Sequence, residues 1–218
     1  RDVERSRGLG DVYKRQTYYI SYNTQVEPLD NPLVRKALNL AIDREYVANT
    51  LMQGTYSPAT NFMGPGWMDT DGTEFMDNAN GGEPYMSATA DIEGALAALE
   101  EAGYPNGEGF PTVEYLYNTA DNHKKIGEAL QNMWQTELGV TVNLNNQDWN
   151  VFLQNRKNGD FQIARNGWIG DYNDPCTFLD MWYTGGGNND AQYSNPDYDA
   201  QILSLIHISE PTRPLYIS

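Results

Sequence analysis

The densest group of polar and aromatic side chains in the sequence is RNGWIGDYNDP, residues 165–175. Trp168 and Tyr172 could form the walls of a binding pocket, because aromatic rings offer large apolar surfaces. Asp171 could pair with a cationic group of a ligand, and Arg165 with a carboxylate. A purely structural interpretation of this segment has equal weight. In it, the rings pack in the core, Asp171 and Asp174 cap a turn and a helix, and Arg165 forms a structural ion pair.

Candidate catalytic groups elsewhere are few. The sequence has no GxSxG, HExxH or Walker-type motif. His123 lies among polar and charged neighbours at a predicted helix start, and we expect a solvated residue near the cap. Cys176 is the only cysteine, which excludes an internal disulfide and a CxxC site, and we expect it to pack in the interior. The sequence therefore predicts no catalytic residue, no metal site and no cofactor.

Two further motifs and one further class of function are compatible with the sequence. Residues 69–72 (DTDG) resemble the start of a calcium loop but lack the third ligand and the terminal glutamate, so we expect an exposed acidic turn. Residues 185–187 (GGG) open no helix on which a phosphate could lie, so we expect a flexible loop. The many acidic and aromatic residues also permit a glycoside hydrolase with a carboxylate pair.

The chain is strongly acidic. It has 218 residues, with 14 Lys+Arg against 30 Asp+Glu, a formal net charge of −16 and a pI near 4.3. Nucleic acids and anionic membranes are bound by clustered basic residues, so this balance argues against both partners. No apolar run approaches the roughly 20 residues of a membrane span. We expect a soluble chain that is long enough to bury a core.

The two ends of the chain are related through the genetic code. When residues 6–16 are written in suitable codons, the reverse complement encodes residues 203–213, for instance LSLIHI against DVYKRQ. An inverted repeat around an insert is typical of a library adapter, and both ends resemble a transposase-type sequencing adapter. We therefore predict that residues 1–16 and 203–218 are adapter-derived and exclude them from fold reasoning. The remaining residues, 17–202, carry a net charge of −18 from eight basic and twenty-six acidic side chains.

Between these ends the hydrophobic pattern alternates between strand and helix, which predicts an α/β fold. Residues 113–144 predict a strand–helix–strand unit with a parallel pair and a right-handed crossover. Residues 55–86 have many Gly, Pro, Asn and aromatic residues without a period, which predicts a long irregular loop. The predicted strands are 17–24, 113–117, 140–144 and 161–166, and the predicted later helices are 90–102, 124–137, 149–157 and 175–183.

Two further helices are predicted near the start. The first begins at Asn31-Pro32, where an Asx cap precedes proline at the first helical position. The second is capped by Asp43 and ends at Gly54. The expected buried side chains are Val34, Leu38 and Ala41 in the first helix, and Tyr46, Val47, Thr50 and Leu51 in the second.

These elements place the polar and aromatic segment at one edge of a sheet. The strand at 161–166 ends just before Trp168, and a helix begins after Pro175. Open α/β sheets bind ligands beyond the carboxyl ends of their strands. The sequence therefore predicts that residues 165–175 form a ligand-binding loop.

Several motifs follow one another along residues 17–202. They are YYI (18–20), VRKALNLAIDR (34–44), AGYPNG (102–107), GDFQ (159–162), GWIGDYNDP (167–175) and YSNP (193–196). In this order they resemble the family 5 solute-binding proteins of ABC importers. The resemblance implies a periplasmic-binding-protein type II-like lobe, with a mixed sheet flanked by helices. It also implies that residues 17–202 are most of the larger C-terminal lobe of a two-lobed protein.

The resemblance further implies a function. Such a protein works outside the cytoplasm, in the periplasm or as a cell-surface lipoprotein. It captures a peptide, delivers it to an ABC transporter permease and performs no catalysis. We expect the full-length protein to be a monomer that needs no cofactor.

The site residues follow from the same motifs. In peptide-binding members of the family, the aspartate of the segment that corresponds to GWIGDYNDP (167–175) pairs with the α-ammonium of the peptide. The resemblance therefore implies this role for Asp171. The resemblance implies that Arg165 meets a ligand carboxylate and that Trp168 lines the pocket, with Tyr172 beside it. The alternative ligand is an oligosaccharide that stacks on Trp168, Tyr172 and Trp182, or another small solute.

Overall fold

The computed structural model describes residues 16–209, with side chains described for residues 16–204. The secondary structure is α/β, as predicted. Four strands are described: β1 (Gln16–Tyr22), β2 (Val113–Asn118), β3 (Val142–Gln147) and β4 (Ile163–Ile169). The described α-helices are α1 (Pro32–Leu40), α2 (Phe75–Asn78), α3 (Ile92–Glu101), α4 (Asp121–Leu138), α5 (Trp149–Asn158), α6 (Cys176–Leu179) and α7 (Pro196–Ser209).

The predicted adapter boundary is not decided by this structure. Residues 1–15 and 210–218 lie outside the described residues. Strand β1 begins at Gln16, and α7 runs past position 203. The origin of the two ends therefore stays a prediction.

The strands form one mixed sheet in the order β1-β4-β2-β3. Strand β2 pairs in parallel with β3 and with β4, while β1 pairs antiparallel to β4. The parallel pair predicted around α4 is thus confirmed. The carboxyl ends of β2, β3 and β4 meet the start of β1 at the same edge of the sheet, which we call the carboxyl edge.

Local sequence signals explain where the helices begin. The Asn31 side chain accepts a hydrogen bond from the backbone N–H of Leu33, and Pro32 occupies the first helical position, as predicted for α1. Asp148 accepts from the N–H of Asn150 at 3.0 Å and caps α5. Gly139 ends α4 in the left-handed conformation, with φ of 69°.

Helices cover both faces of the sheet. Helices α1, α3 and α4 pack on one face, where the fully buried Trp134 donates from Nε1 to the Leu38 carbonyl at 2.8 Å. On the other face, Phe152 of α5 packs with Leu116 and Ala164 from the sheet. This arrangement confirms the predicted sheet flanked by helices. None of the described helices is both long and apolar enough to cross a membrane.

The segment predicted as a second early helix winds differently from the prediction. Asp43 caps it as expected, since Oδ1 accepts from the N–H of Tyr46 at 2.8 Å, but residues 46–51 form a π-helix. The predicted buried positions are therefore wrong in part: Tyr46 and Thr50 are exposed, and Ala48 is buried. Bonds that span five residues change which side chains face the core.

The segment 55–86 is largely irregular, as predicted, but it packs against the body of the protein. Its regular parts are α2, a 3₁₀ turn at Ala79–Gly82 and a single bridge between Met68 and Glu74. Trp67 is 1% exposed and packs with Phe178 of α6. The segment is therefore fixed by aromatic contacts with the region that follows β4.

Candidate functional site

Strand β4 is longer than the sequence predicts. It was expected to end near Asn166, but it continues to Ile169. The cause is pairing with β1, in which Thr17 lies opposite Trp168 and Gln16 opposite Ile169. The prediction that Trp168 lies in a loop is therefore wrong, because Trp168 is part of the strand that runs to the carboxyl edge.

Arg165 lies half-buried on β4 and contacts a histidine. Its Nε and Nη2 atoms lie 3.2 Å and 2.9 Å from Nε2 of His123. Its Cζ atom lies about 6 Å from three aromatic rings, at 5.8 Å from Tyr18, 6.0 Å from Trp149 and 5.8 Å from Phe152. Burial lowers the pKa of Arg165 from its ordinary value. Since the guanidinium has five N–H donors, some remain available to a ligand.

The alternative role of Arg165, a structural ion pair, is not found among the residues whose side chains are described. Among residues 16–204, the described ion pairs are Lys124 with Glu128 and Arg156 with Asp190. Arg165 is part of neither pair. The Arg165 guanidinium is therefore a half-buried cation in direct contact with a neutral histidine and aromatic rings, and the positive charge of Arg156 also acts on it.

His123 is not solvated, so that prediction is also wrong. Its side chain is 8% exposed at the start of α4, and Nδ1 lies 3.2 Å from the Tyr18 hydroxyl. Arginine only donates, so Nε2 accepts from Arg165 and Nδ1–H donates to Tyr18. Burial, with the charge of Arg165, lowers the pKa of His123 to about 4, so the ring is neutral at pH 7. Burial also raises the pKa of Tyr18 to about 12.

A signal for the His123 position was present in the sequence. A strand–helix–strand unit brings the start of its helix to the carboxyl ends of the parallel strands. Because α4 begins at Asp121, His123 had to lie at the same edge as the end of β4. What the sequence did not show is the contact with Arg165, 42 positions later.

Asp171 lies exposed just beyond β4. Its backbone N–H donates to Oγ1 of Thr177 at 2.9 Å. Among residues 16–204, no ion pair to the Asp171 carboxylate is described. Asp174 has the capping role that was considered for both acidic residues, since its Oδ1 accepts from the N–H of Cys176 at 2.8 Å. The Asp171 carboxylate therefore forms no ion pair with a described residue of its own chain.

The two aromatic candidates differ in their surroundings. Trp168 is half-buried, and its Nε1–H donates to the Thr177 carbonyl at 2.7 Å. Tyr172 is 48% exposed, and its hydroxyl donates to Oδ2 of Asp180 at 3.0 Å. Partial burial and the Asp180 carboxylate raise the pKa of Tyr172 above its ordinary value. Trp168 is thus fixed by the fold, while the Tyr172 ring presents an open face.

Trp149 is a further candidate that the sequence did not single out. It is the first residue of α5 and 47% exposed, at the carboxyl edge next to β3. Its ring lies 6.0 Å from the Arg165 Cζ atom. The sequence did predict a helix that starts here, after a strand. This start indicated a position near the ligand, because open α/β sheets bind ligands beyond the carboxyl ends of their strands.

Cys176 and the acidic turn do not join this site. Cys176 is half-buried rather than buried, and burial with the nearby Asp174 raises the pKa of its thiol to about 11. The turn at 69–72 is bonded within its own segment, where Asn78 donates to Asp69 at 3.1 Å. The described residues contain no cluster of three or more His, Cys, Asp or Glu side chains that could hold a metal.

The arrangement suits a ligand with both charges. Arg165, the third residue of β4, supplies a cation, and Asp171, two residues beyond the end of β4, supplies an anion; no described ion pair involves either. The Trp149 ring lies 6.0 Å from the Arg165 Cζ atom, and Trp168 and Tyr172 flank Asp171 in the sequence. A molecule that carries an ammonium group and a carboxylate would meet complementary charge at this edge.

Comparison with known families gives one match over most of the chain. Residues 5–190 match the bacterial extracellular solute-binding proteins, family 5 middle. The chain is 37% identical over 185 residues to the oligopeptide-binding protein OppA of Bacillus subtilis, which is 83% of this chain and 32% of that protein. The chain therefore spans about a third of the length of this relative.

Solved structures resemble the chain over nearly all of its length. The periplasmic oligopeptide-binding protein OppAIV of Borrelia burgdorferi is 34% identical, with a TM-score of 0.76 over 93% of this chain and 39% of its own. OppA of Listeria monocytogenes bound to peptide is 31% identical, with a TM-score of 0.77 over 87% of this chain and 38% of its own. These likenesses confirm the predicted fold class.

Proposed function

The chain belongs to the bacterial extracellular solute-binding proteins of family 5, and we propose that the full-length protein captures peptides for an ABC importer. The observation that carries this proposal is the pair of opposite charges, Arg165 and Asp171, neither in a described ion pair at the carboxyl edge. Both termini of a short peptide are charged. The relatives described above are named for binding oligopeptides, which supports the same ligand class here.

We assign each end of the ligand to one charged group. Asp171 is exposed and receives the α-ammonium of the peptide. Arg165 receives a carboxylate, and His123 orients the guanidinium by accepting from Nε and Nη2. Trp168 and Tyr172 form aromatic walls of the pocket that receives the ligand. Because charge-assisted hydrogen bonds are the stronger class, these two contacts supply much of the recognition.

The proposal includes no catalytic step. The relatives are named as oligopeptide-binding proteins, and His123 contacts Arg165 and Tyr18 rather than a nucleophile. The comparisons do not favour a glycoside hydrolase. They do not favour an oligosaccharide ligand either, and the Trp182 ring that would stack on a sugar packs edge-on against Phe62 at 5.1 Å.

The setting of the protein is proposed from its family. The family is extracellular by name, so we place the full-length protein outside the cytoplasm, in the periplasm or on the cell surface. We propose that it acts as a monomer and passes its peptide to the membrane permease of the importer. The strong acidity of the chain is compatible with this setting and argues against nucleic acid as a partner.

The test is calorimetric titration of trialanine into a full-length protein that contains this chain. Asp171→Asn keeps the size of the side chain and removes its charge. We expect trialanine affinity to fall about 10- to 150-fold, which corresponds to roughly 1.5–3 kcal/mol for a hydrogen bond to a charged group.

Asp160→Asn is the matched control. Asp160 is also exposed, but it precedes β4 and therefore lies at the opposite edge of the sheet. We expect this variant to bind trialanine like the parent. If the parent does not bind trialanine, or if the two variants weaken it equally, the assignment of Asp171 to the peptide amine is wrong.

A further inference from the structure

Thr177 connects two of the candidate ligand residues. It lies in the four-residue helix α6, and its side chain is 1% exposed. Its Oγ1 accepts the backbone N–H of Asp171 at 2.9 Å, and its carbonyl accepts Nε1–H of Trp168 at 2.7 Å. Asp171, an exposed residue of the segment that follows β4, is thus bonded to a buried residue, and we call this segment, residues 170–175, the ligand loop.

The backbone next to Asp171 is also confined by an aromatic ring. A Cβ atom added to Gly170 would lie 2.5 Å and 2.9 Å from two carbons of the Trp67 indole and 3.0 Å from Cγ2 of Thr177. Trp67 is itself 1% exposed and packs edge-on against Phe178, with ring centroids 5.3 Å apart. The backbone that leads into Asp171 therefore lies between two buried side chains, those of Trp67 and Thr177.

This confinement matters because Asp171 itself is exposed. An exposed carboxylate on a mobile loop would have to be ordered when the ligand binds, and this ordering weakens affinity. Groups held in place before binding avoid that cost. The hydrogen bond to Thr177 fixes the backbone atom that determines where the Asp171 carboxylate can reach.

We propose that Thr177 is a positioning residue for recognition of the ligand amine. The inference rests on the proposed function, because it needs Asp171 to contact a ligand ammonium. Thr177 does not touch the ligand; it acts through the Asp171 backbone. The effect of losing its hydroxyl is therefore specific to ligands with a charged amino terminus.

The experiment compares two ligands in three proteins. Trialanine and N-acetyl-trialanine are titrated at up to millimolar concentration into the full-length parent, Thr177→Val and Thr177→Ser. Valine keeps the branched shape and removes the acceptor, whereas serine keeps the acceptor. We expect Thr177→Val to reduce the preference for the free amine by about fivefold or more, in line with the loss of one hydrogen bond, and Thr177→Ser to retain it.

If Thr177→Val weakens both ligands equally, Thr177 has only a structural role and the inference is wrong. If the preference survives in Thr177→Val, the inference is wrong while the proposed function stands. If the parent shows no preference for the free amine, the proposed function itself fails. Thr177→Ala carries the same expectation as Thr177→Val and replaces it if the valine variant does not fold.

Discussion

The Arg165 guanidinium is half-buried beside a neutral histidine and aromatic rings. A cation in partly apolar surroundings is costly unless an anion approaches it. The described residues supply no such anion. Because of this energetic cost, we expect a carboxylate from outside the described residues to approach Arg165. We propose that the ligand supplies it.

His123 gives a prediction for stability against pH. Its folded pKa is about 4, below its ordinary value of 6.5, so between these values the unfolded chain binds more protons than the folded one. The stabilising contribution is present above pH 6.5 and is lost as the pH falls towards 4. We expect His123→Gln, which can still accept from Arg165, to lose on the order of 2 kcal/mol less than the parent between pH 7 and 4.

Urea unfolding of both proteins across this pH range measures the difference. The carboxylates of the chain titrate in both, so their effect cancels in the comparison. Stability curves that run parallel from pH 7 to 4 would show that His123 is not buried in its neutral form.

At the scale of elements, the ligand loop depends on a segment far away in sequence. Trp67 comes from the irregular segment 55–86, and its ring lies under Gly170 at the end of β4. The sequence predicted that this segment is irregular. It did not show this contact, because aromatic packing over a separation of about a hundred positions leaves no local pattern.

Gly170→Ala tests this contact. The added methyl group would overlap the Trp67 ring, and overpacking of this kind costs about 1–3 kcal/mol. Gly167→Ala is the matched control, because its Cβ would meet atoms only at 3.7 Å, an ordinary contact distance. Chemical unfolding should show a clear loss of stability for Gly170→Ala and little change for Gly167→Ala. Equal effects would mean that Trp67 does not confine the loop.

Features set by neighbouring residues were predicted from the sequence, whereas features set by residues distant in sequence were not. Helix caps such as Asn31 and Asp148 were predicted because a cap needs only its next few residues. The length of β4 was missed because its last residues are ordered by pairing with β1, about 150 positions earlier. The burial of His123 was missed because its charged neighbour is distant in sequence.

At the scale of the whole molecule, the chain spans about a third of its relatives. The fold class and the family were predicted correctly from ordered short motifs. The proposed adapter origin of residues 1–16 and 203–218 concerns the source of the sequence rather than its fold. The proposed capture of a peptide is a function of the full-length protein.

The proposed function depends most directly on contact between Asp171 and the amino terminus of a peptide. A calorimetric double-mutant cycle tests it, with trialanine and N-acetyl-trialanine titrated into the full-length parent and into Asp171→Asn. We predict that acetylation weakens binding about tenfold or more in the parent and has almost no effect in the variant, because each change removes the same contact. Acetylation that weakens both proteins by the same factor would contradict the claim.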